Sequence, residues 1–278
     1  MLWYESFDRL RSQRLRVLSD EPMSRHTTFR IGGPARRMAF PETESELAAL
    51  LDLAAREGYP YTVIGNGSNV LSPDEGLDRL VINTSRVDTV TVVGNAVHAL
   101  AGATMARVAN AAQRAGLTGM EFAHGIPGTL GGGVFMNAGA YGGELCQVVR
   151  SVRAWFPGEG IVTLMGGECR FGYRHSVFSE KPGVVLFVEM ELTAGDSAAI
   201  KAKMEELAAR RRASQPLELP SAGSTFKRPE GYYAGTLIDQ CGLKGERVGG
   251  AQVSEKHAGF IVNSGGATCA DGLGLIAR

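Results

Sequence analysis

The sequence has no excess of charge: 29 Lys and Arg stand against 29 Asp and Glu in 278 residues. Binding to a phosphate backbone or an anionic lipid surface needs a basic excess, so no nucleic-acid or membrane partner is expected. Local basic clusters can still hold a small anion. Cysteine is scarce. Cys146, Cys169, Cys241 and Cys269 lie far apart, without Cys-x-x-Cys or Cys/His spacing. That pattern excludes a zinc site of the usual kind and predicts reduced, buried thiols and no metal. No uncharged apolar run approaches the roughly 18–20 residues of a membrane span. Charge interrupts the opening residues at Glu5, Asp8 and Arg9, before the apolar region of a signal peptide could form. A soluble, cytoplasmic protein is the expectation. Internal repeats and low-complexity tracts are also missing.

Glycine, by contrast, is concentrated. Eight of the nineteen residues from Gly125 to Gly143 are glycine, interleaved with Ile126, Leu130, Val134, Phe135, Met136 and Tyr141. A flexible linker would not carry those apolar residues. Glycines permit positive φ and close backbone approach, and Pro127 fixes φ. Burial and an unusual backbone path together predict a loop that wraps a large ligand; a tight-turn cluster inside a core is the plainer alternative. A second turn, Gly65-Asn66-Gly67-Ser68-Asn69, follows the short apolar strand 61–64. It lacks the third glycine of a dinucleotide fingerprint, and the residues after it open no helix, so a Rossmann fold is rejected. Converging backbone N–H groups with Ser68 and Asn69 can form an anion nest.

The remaining pattern mixes strands and helices without regular βαβ alternation, which predicts an α+β protein in two domains. A surface helix is expected over 2–18. The pattern Thr43 to Glu46 opens a second helix, stopped by Gly58. Strands are expected at 37–40, 61–64, 80–83, 87–93 and 96–101, with Gly94-Asn95 as a hairpin turn. Thr104 caps a helix that ends at Gly116. Further strands are read at 148–156, 160–164 and 183–192. Asp196 caps a helix ending in Arg210–Arg212, and 213–222 is a connector. A helix over 231–241 and strands over 247–253 and 260–263 follow.

Taken together, the turns carry a resemblance. Val63–Leu71, Gly125–Gly133 and Met136–Glu144 resemble the FAD-binding domain of the UDP-N-acetylenolpyruvoylglucosamine reductase family, flavoproteins of the p-cresol methylhydroxylase type. The resemblance runs from Thr28–Gly33 to Ser254–Asn263 in order, in the family's shorter form without an extra substrate loop. It implies an FAD-binding region over 1–212, with its core at about 28–195, and a smaller α+β substrate domain over 213–278. It implies non-covalent FAD, with NADPH as hydride donor and a UDP-sugar as substrate, in a monomer that makes a peptidoglycan precursor. Gly65, Asn66, Gly67, Ser68, Asn69, Ile126, Pro127, Gly128, Gly132, Asn137, Gly139 and Tyr141 would hold the cofactor.

The resemblance also assigns chemistry. Phe171–Ser176 matches the family's Tyr-Arg motif. Arg174 would neutralise charge on the substrate carboxylate, beside Tyr173. Ser221–Pro229 matches its serine motif, so Ser224 would protonate carbon after hydride transfer. Lys227 and Arg228 are candidates for the diphosphate, and His257 is expected to be a structural hydrogen-bonder. The family's catalytic glutamate has no match: the sequence stops at Leu273–Arg278, at the expected start of the last helix. Either the sequence is a piece of a longer chain or the tail is absent from the protein, and in the second case impaired proton delivery is expected. Two other readings stay open, a flavin oxidase of the same fold and a catalytically silent nucleotide-binding module.

Overall fold

The computed structural model describes residues 2–278. Helix α1 (Trp3–Leu10) is followed by strand β1 (Arg16–Pro22), so the single helix expected over 2–18 is corrected. Of the apolar residues at this helix, Phe7 is buried, whereas Leu2 and Leu10 are 54% and 51% exposed. The Arg11 N–H closes the helix on the Phe7 carbonyl, and the Ser12 hydroxyl accepts from the Arg14 N–H to turn the chain. Val17 is a strand residue.

Strand β2 (Pro34–Phe40) leads to α2 (Glu44–Glu57). Thr43 Oγ1 accepts from the Glu46 N–H at 3.1 Å, and Gly58 closes the helix at φ 68°, as predicted. Strands β3 (Tyr61–Ile64) and β4 (Leu77–Asn83) run parallel, in a sheet ordered β1-β2-β4-β3. Strand β5 (Val90–Val93) is shorter than expected, because the Val87 N–H goes to the Thr84 carbonyl in a turn. It pairs with β6 (Ala96–Leu100) across Gly94-Asn95.

Thr104 caps α3 (Met105–Arg114), and the short β7 (Leu117–Thr118) follows. The glycine-rich run is not all loop. It contains the short helix α4 (Leu130–Phe135) and the hairpin of β8 (Gly139–Ala140) with β9 (Gly143–Glu144). Strands β10 (Val149–Phe156), β11 (Gly160–Met165) and β12 (Val184–Glu191) complete a sheet ordered β11-β10-β12-β6-β5. Both faces of β10 and β12 are covered. Ala154 and Phe156 enter the core with α3 and α4, and Trp155 and Leu186 enter the core with α2. A strand buried on two sides reads as a continuous apolar run, which is why 183–192 is so rich in valine.

Strand β13 (Thr193–Ala194) precedes α5 (Ser197–Ser214), whose first turn is capped by Asp196. Strand β14 (Ser221–Ser224) and helix α6 (Ala234–Gln240) follow; the helix starts three residues later than expected. The expected strand 247–253 is two strands, β15 (Arg247–Val248) and β16 (Ala251–Val253), because Gly249, at φ 52°, turns the chain between them. With β17 (Phe260–Asn263) they make a sheet ordered β14-β17-β16-β15.

The last helix, α7 (Cys269–Ala277), begins four residues before the expected start at Leu273. Thr268 and Asp271 cap it reciprocally, and Asp74 accepts from the Cys269 and Ala270 N–H groups at 2.7 and 3.0 Å. The amides of Thr268 and Gly250 hold the Asp271 carboxyl below its ordinary range.

Packing divides the chain into two units interleaved in sequence. The first comprises 1–18, 38–65 and 79–209; the second comprises 19–37, 66–78 and 210–278. The second has its own core, of Phe29, Ile31, Ala251, Val253, Ile261 and Leu275 among others. Among the described residues no helix is long and apolar enough to cross a membrane.

Candidate functional site

In the first unit the glycine-rich run is laced to the segment before α3. Met105 N–H donates to the Gly128 carbonyl at 3.0 Å, Leu130 N–H to Ala103 at 2.8 Å, and Gly131 N–H to Ala101 at 2.8 Å. Most glycines here are demanded by the protein itself. A β-carbon on Gly131 would lie 2.9 Å from Ala101 Cβ, and one on Gly143 would lie 2.4 Å from the Phe122 ring. Gly65, at the end of β3, faces the same run: its β-carbon would fall 2.0 Å from Thr129 Oγ1.

Gly132 is different. It is exposed, and the nearest atom to its missing β-carbon is Thr129 Oγ1 at 3.7 Å. Packing within the chain does not explain its bareness. His124 Nδ1, at the head of the run, is buried with no hydrogen-bond partner. A bare backbone surface and an unmatched buried polar atom fit a flat cofactor with polar edges, which is what FAD presents. Ile126 and Gly128 are half-buried and Pro127 is exposed in the same run.

Tyr173 and Arg174 form the tip of a tight turn. Gly172 and His175 exchange backbone hydrogen bonds of 3.0 and 3.2 Å, and Arg174 has φ 53°. The guanidinium lies 5.3 Å from the Tyr173 ring centroid. It donates to the Gly139 carbonyl at 3.0 Å and to the Asn137 carbonyl at 3.4 Å. The structure therefore brings Arg174 together with Asn137 and Gly139 of the glycine-rich run. The Asn137 side chain is 1% exposed, at φ 40°. Its Nδ2 donates to Glu144 Oε2 at 3.0 Å and to the Gly172 carbonyl at 3.1 Å, and its Oδ1 accepts from the Cys146 N–H at 3.0 Å. The bonds of that side-chain amide are all made within the protein, where it holds the arginine turn. Tyr141, at φ 55°, is 39% exposed beside it in the hairpin.

The other candidates lie in the second unit. Gly67, at φ 58°, is buried, and a β-carbon there would fall 2.2 Å from the His26 carbonyl. Asn66 and Ser68 are half-buried; Asn69 is exposed. Ser224 ends β14 opposite Phe260 and is exposed, after Gly223 at φ 82°. Lys227 and Arg228 are exposed, with the Arg228 guanidinium 4.3 Å from the Tyr233 ring centroid. Lys244 is paired to Asp239, and Lys256 donates to the Arg212 carbonyl. His257 Nδ1 accepts from the Gly259 N–H at 3.1 Å, a structural bond. Among the described residues no group of three His, Cys, Asp or Glu could hold a metal.

Sequence reasoning passed over Thr129, His124, Glu144 and Gly172. Thr129 alone carried a signal, as a hydroxyl immediately before a glycine-rich helix.

Comparison with known proteins finds relatives over nearly the whole chain. The FAD binding domain family matches residues 35–165, and the UDP-N-acetylenolpyruvoylglucosamine reductase C-terminal domain family matches 215–278. The UDP-N-acetylenolpyruvoylglucosamine reductase of Caldanaerobacter subterraneus is 49% identical over 257 residues, which cover 92% of this chain and 85% of the relative. That of Latilactobacillus sakei is 48% identical over 266 residues, covering 96% and 88%. The crystal structure of UDP-N-acetylenolpyruvylglucosamine reductase from Thermus caldophilus superposes with a TM-score of 0.83 at 38% identity, covering 95% of this chain and 94% of that one. An alkyldihydroxyacetonephosphate synthase matches at a TM-score of 0.52 and 16% identity, over 69% of this chain and 40% of its own; that likeness is one of fold alone.

Proposed function

Since the chain belongs to the UDP-N-acetylenolpyruvoylglucosamine reductase family, we propose that it reduces UDP-N-acetylglucosamine enolpyruvate to UDP-N-acetylmuramate with NADPH as electron donor. It is an FAD-dependent oxidoreductase. We assign cofactor binding to 1–212 and substrate binding to 213–278. The chemistry that bound FAD supplies is hydride transfer, from NADPH to the terminal carbon of the enolpyruvyl double bond.

The protein supplies position, charge and a proton. Gly65, Gly128, Gly132 and Gly139 offer backbone against which the cofactor lies. Arg174 binds the substrate carboxylate. Two of its five N–H groups go to the Asn137 and Gly139 carbonyls, and the fork has others to offer a carboxylate. Its fixed charge offsets the negative charge that spreads onto the carboxylate as hydride arrives at the neighbouring carbon. Ser224 Oγ–H then gives its proton to the carbon bearing the carboxylate, and solvent restores the hydroxyl proton. A hydroxyl is a weak acid, but an enolate carbon is a strong enough base to take its proton when the geometry is fixed. Lys227 and Arg228 are assigned to the diphosphate, where Arg228 is steadied by Tyr233.

The observation that carries this reading is the junction of two functions in one place. The guanidinium suited to a carboxylate is hydrogen-bonded to carbonyls of the run suited to a flavin. The test is product analysis. With FAD, NADPH and enolpyruvyl substrate, the product should be the substrate plus one hydride and one proton, in equal amount to the NADPH consumed. NADPH consumption without that product would contradict the reading and favour an oxidase.

A further inference from the structure

We propose that Asn137 is the positioning residue for Arg174: it anchors the turn that presents the guanidinium, and the guanidinium in turn closes on the Asn137 main chain. The inference rests on the reading of Arg174 given above and names the part of the chain that makes that reading work.

The clasp is reciprocal. From the Asn137 side chain, Nδ2 donates to the Gly172 carbonyl at the base of the turn. From the turn, the Arg174 guanidinium donates to the Asn137 carbonyl. The Gly172 carbonyl also accepts the His175 N–H, so both of its lone pairs are used. Arginine is long and has many rotamers. Without an anchor its ordering would cost binding energy at each turnover. Here the tip residue is fixed in its backbone by the 172–175 turn, and the far end of its side chain is fixed by two carbonyls.

Both partners sit where most residues do not. Asn137 has φ 40° and Arg174 has φ 53°. Asparagine visits this region at small cost, whereas arginine is there only if its surroundings impose it. The second amide proton of Asn137 and its oxygen are also used, on Glu144 and on the Cys146 N–H. The first bond reaches the side chain of Glu144 in β9 and the second the backbone of the turn just after it, so the arginine turn is tied to the chain that leaves the hairpin. With every N–H of the amide satisfied and its side chain 1% exposed, the group has one orientation available.

The prediction separates positioning from folding and from cofactor binding. Arg174 is needed when the enolpyruvyl substrate is reduced, not when NADPH reduces the flavin. The test uses the FAD-loaded protein under anaerobic conditions and follows flavin absorbance in the two steps separately. In Asn137→Gly the positive φ is unstrained and only the amide is lost. Reoxidation by enolpyruvyl substrate should slow about ten- to a hundredfold, while reduction by NADPH and the FAD dissociation constant stay within about twofold of wild type. Asn137→Ala, which adds backbone strain, should slow reoxidation at least as much.

Arg174→Ala is the reference. If it does not slow reoxidation, the functional reading of Arg174 fails, and this inference with it. If Arg174→Ala slows reoxidation but Asn137→Gly leaves it at the wild-type rate, the positioning role alone is wrong. Equal slowing of both steps in Asn137→Gly would show a structural role and also overturn the proposal. Hydrogen exchange supplies a readout independent of substrate. The amides of Gly172 and His175 should exchange faster in Asn137→Gly than in wild type, and unchanged protection there would contradict the anchor.

Discussion

A β-carbon on Gly65 would lie 2.0 Å from Thr129 Oγ1, closer than any real contact. The end of β3 and the threonine before α4 are therefore pressed together, backbone against side chain. Gly65, which opens one of the two glycine-rich turns read from the sequence, meets Thr129 of the other within the first unit.

Gly65→Ala should force Thr129 or the β3 end to move, costing about 1–3 kcal/mol of stability and weakening FAD binding. Gly132→Ala is the informative counterpart. Nothing lies within 3.7 Å of its added carbon, and it sits within helix α4. The apo protein should be more stable by about 0.5–1 kcal/mol, yet bind FAD about tenfold or more weakly, since a methyl against the cofactor costs 1 kcal/mol or more. Thermal melts of the apo protein and FAD fluorescence titration measure the two effects. A Gly132→Ala protein with unchanged FAD affinity would show that the cofactor does not lie there.

Arg174→Lys and Ser224→Ala should both spare flavin reduction by NADPH and slow reduction of the enolpyruvyl substrate. Lysine keeps charge but not the fork. For either variant the loss should be about a hundredfold or more, in the range of a lost electrostatic or acid catalyst. Single-turnover absorbance of the flavin checks this. Slowing confined to the NADPH step would assign these residues to the wrong substrate.

The β10–α2 layer should be separable from catalysis. Trp155 is 1% exposed and its Nε1–H donates to Asp52 Oδ1 at 2.7 Å. Asp52→Ala leaves that buried donor unmatched, so a loss of about 1–3 kcal/mol is expected, with both flavin half-reactions unchanged. Urea unfolding with parallel kinetics is the measurement.

Cys169 carries a pH prediction. Burial, with Glu168 adding, pushes its thiol from 9.0 up to about 11. In the unfolded chain the thiol loses its proton first, so above pH 9 the unfolded state binds fewer protons than the folded one. Its contribution is intact below pH 9 and is lost as pH rises toward 11, by an amount on the order of 2 kcal/mol. Cys169→Ala should flatten that part of the stability curve. The expectation of four buried thiols holds for Cys169 and Cys269 only; in the folded protein at pH 8, exposed Cys146 and Cys241 should react with a thiol reagent while the buried pair does not.

Local rules were enough where the deciding groups lie close in sequence. Thr43, Gly58 and Thr104 marked helix ends because a cap needs only the next three residues. Elements decided by distant groups were not legible. Helix α4 has three glycines in six residues and forms because Ala101 and Ala103 accept its first N–H groups. The break between α1 and β1 depends on Ser12 turning the chain and on β2 lying beside β1. In the candidate site, the glycine-rich run and the Tyr-Arg turn were both visible in the sequence, because each is a short contiguous stretch. The bond from Asn137 to the arginine turn was not legible, since Gly172 is 35 residues away and only the fold brings its carbonyl to the amide.

The central claim is that this chain holds FAD and passes electrons from NADPH to an enolpyruvyl UDP-sugar. The most direct measurement is the visible spectrum of the FAD-reconstituted protein in one anaerobic cuvette. NADPH should bleach the flavin band, and UDP-N-acetylglucosamine enolpyruvate should then restore it. A protein that retains no flavin after FAD is supplied, or one that bleaches with NADPH and stays bleached when the substrate is added, would contradict the account.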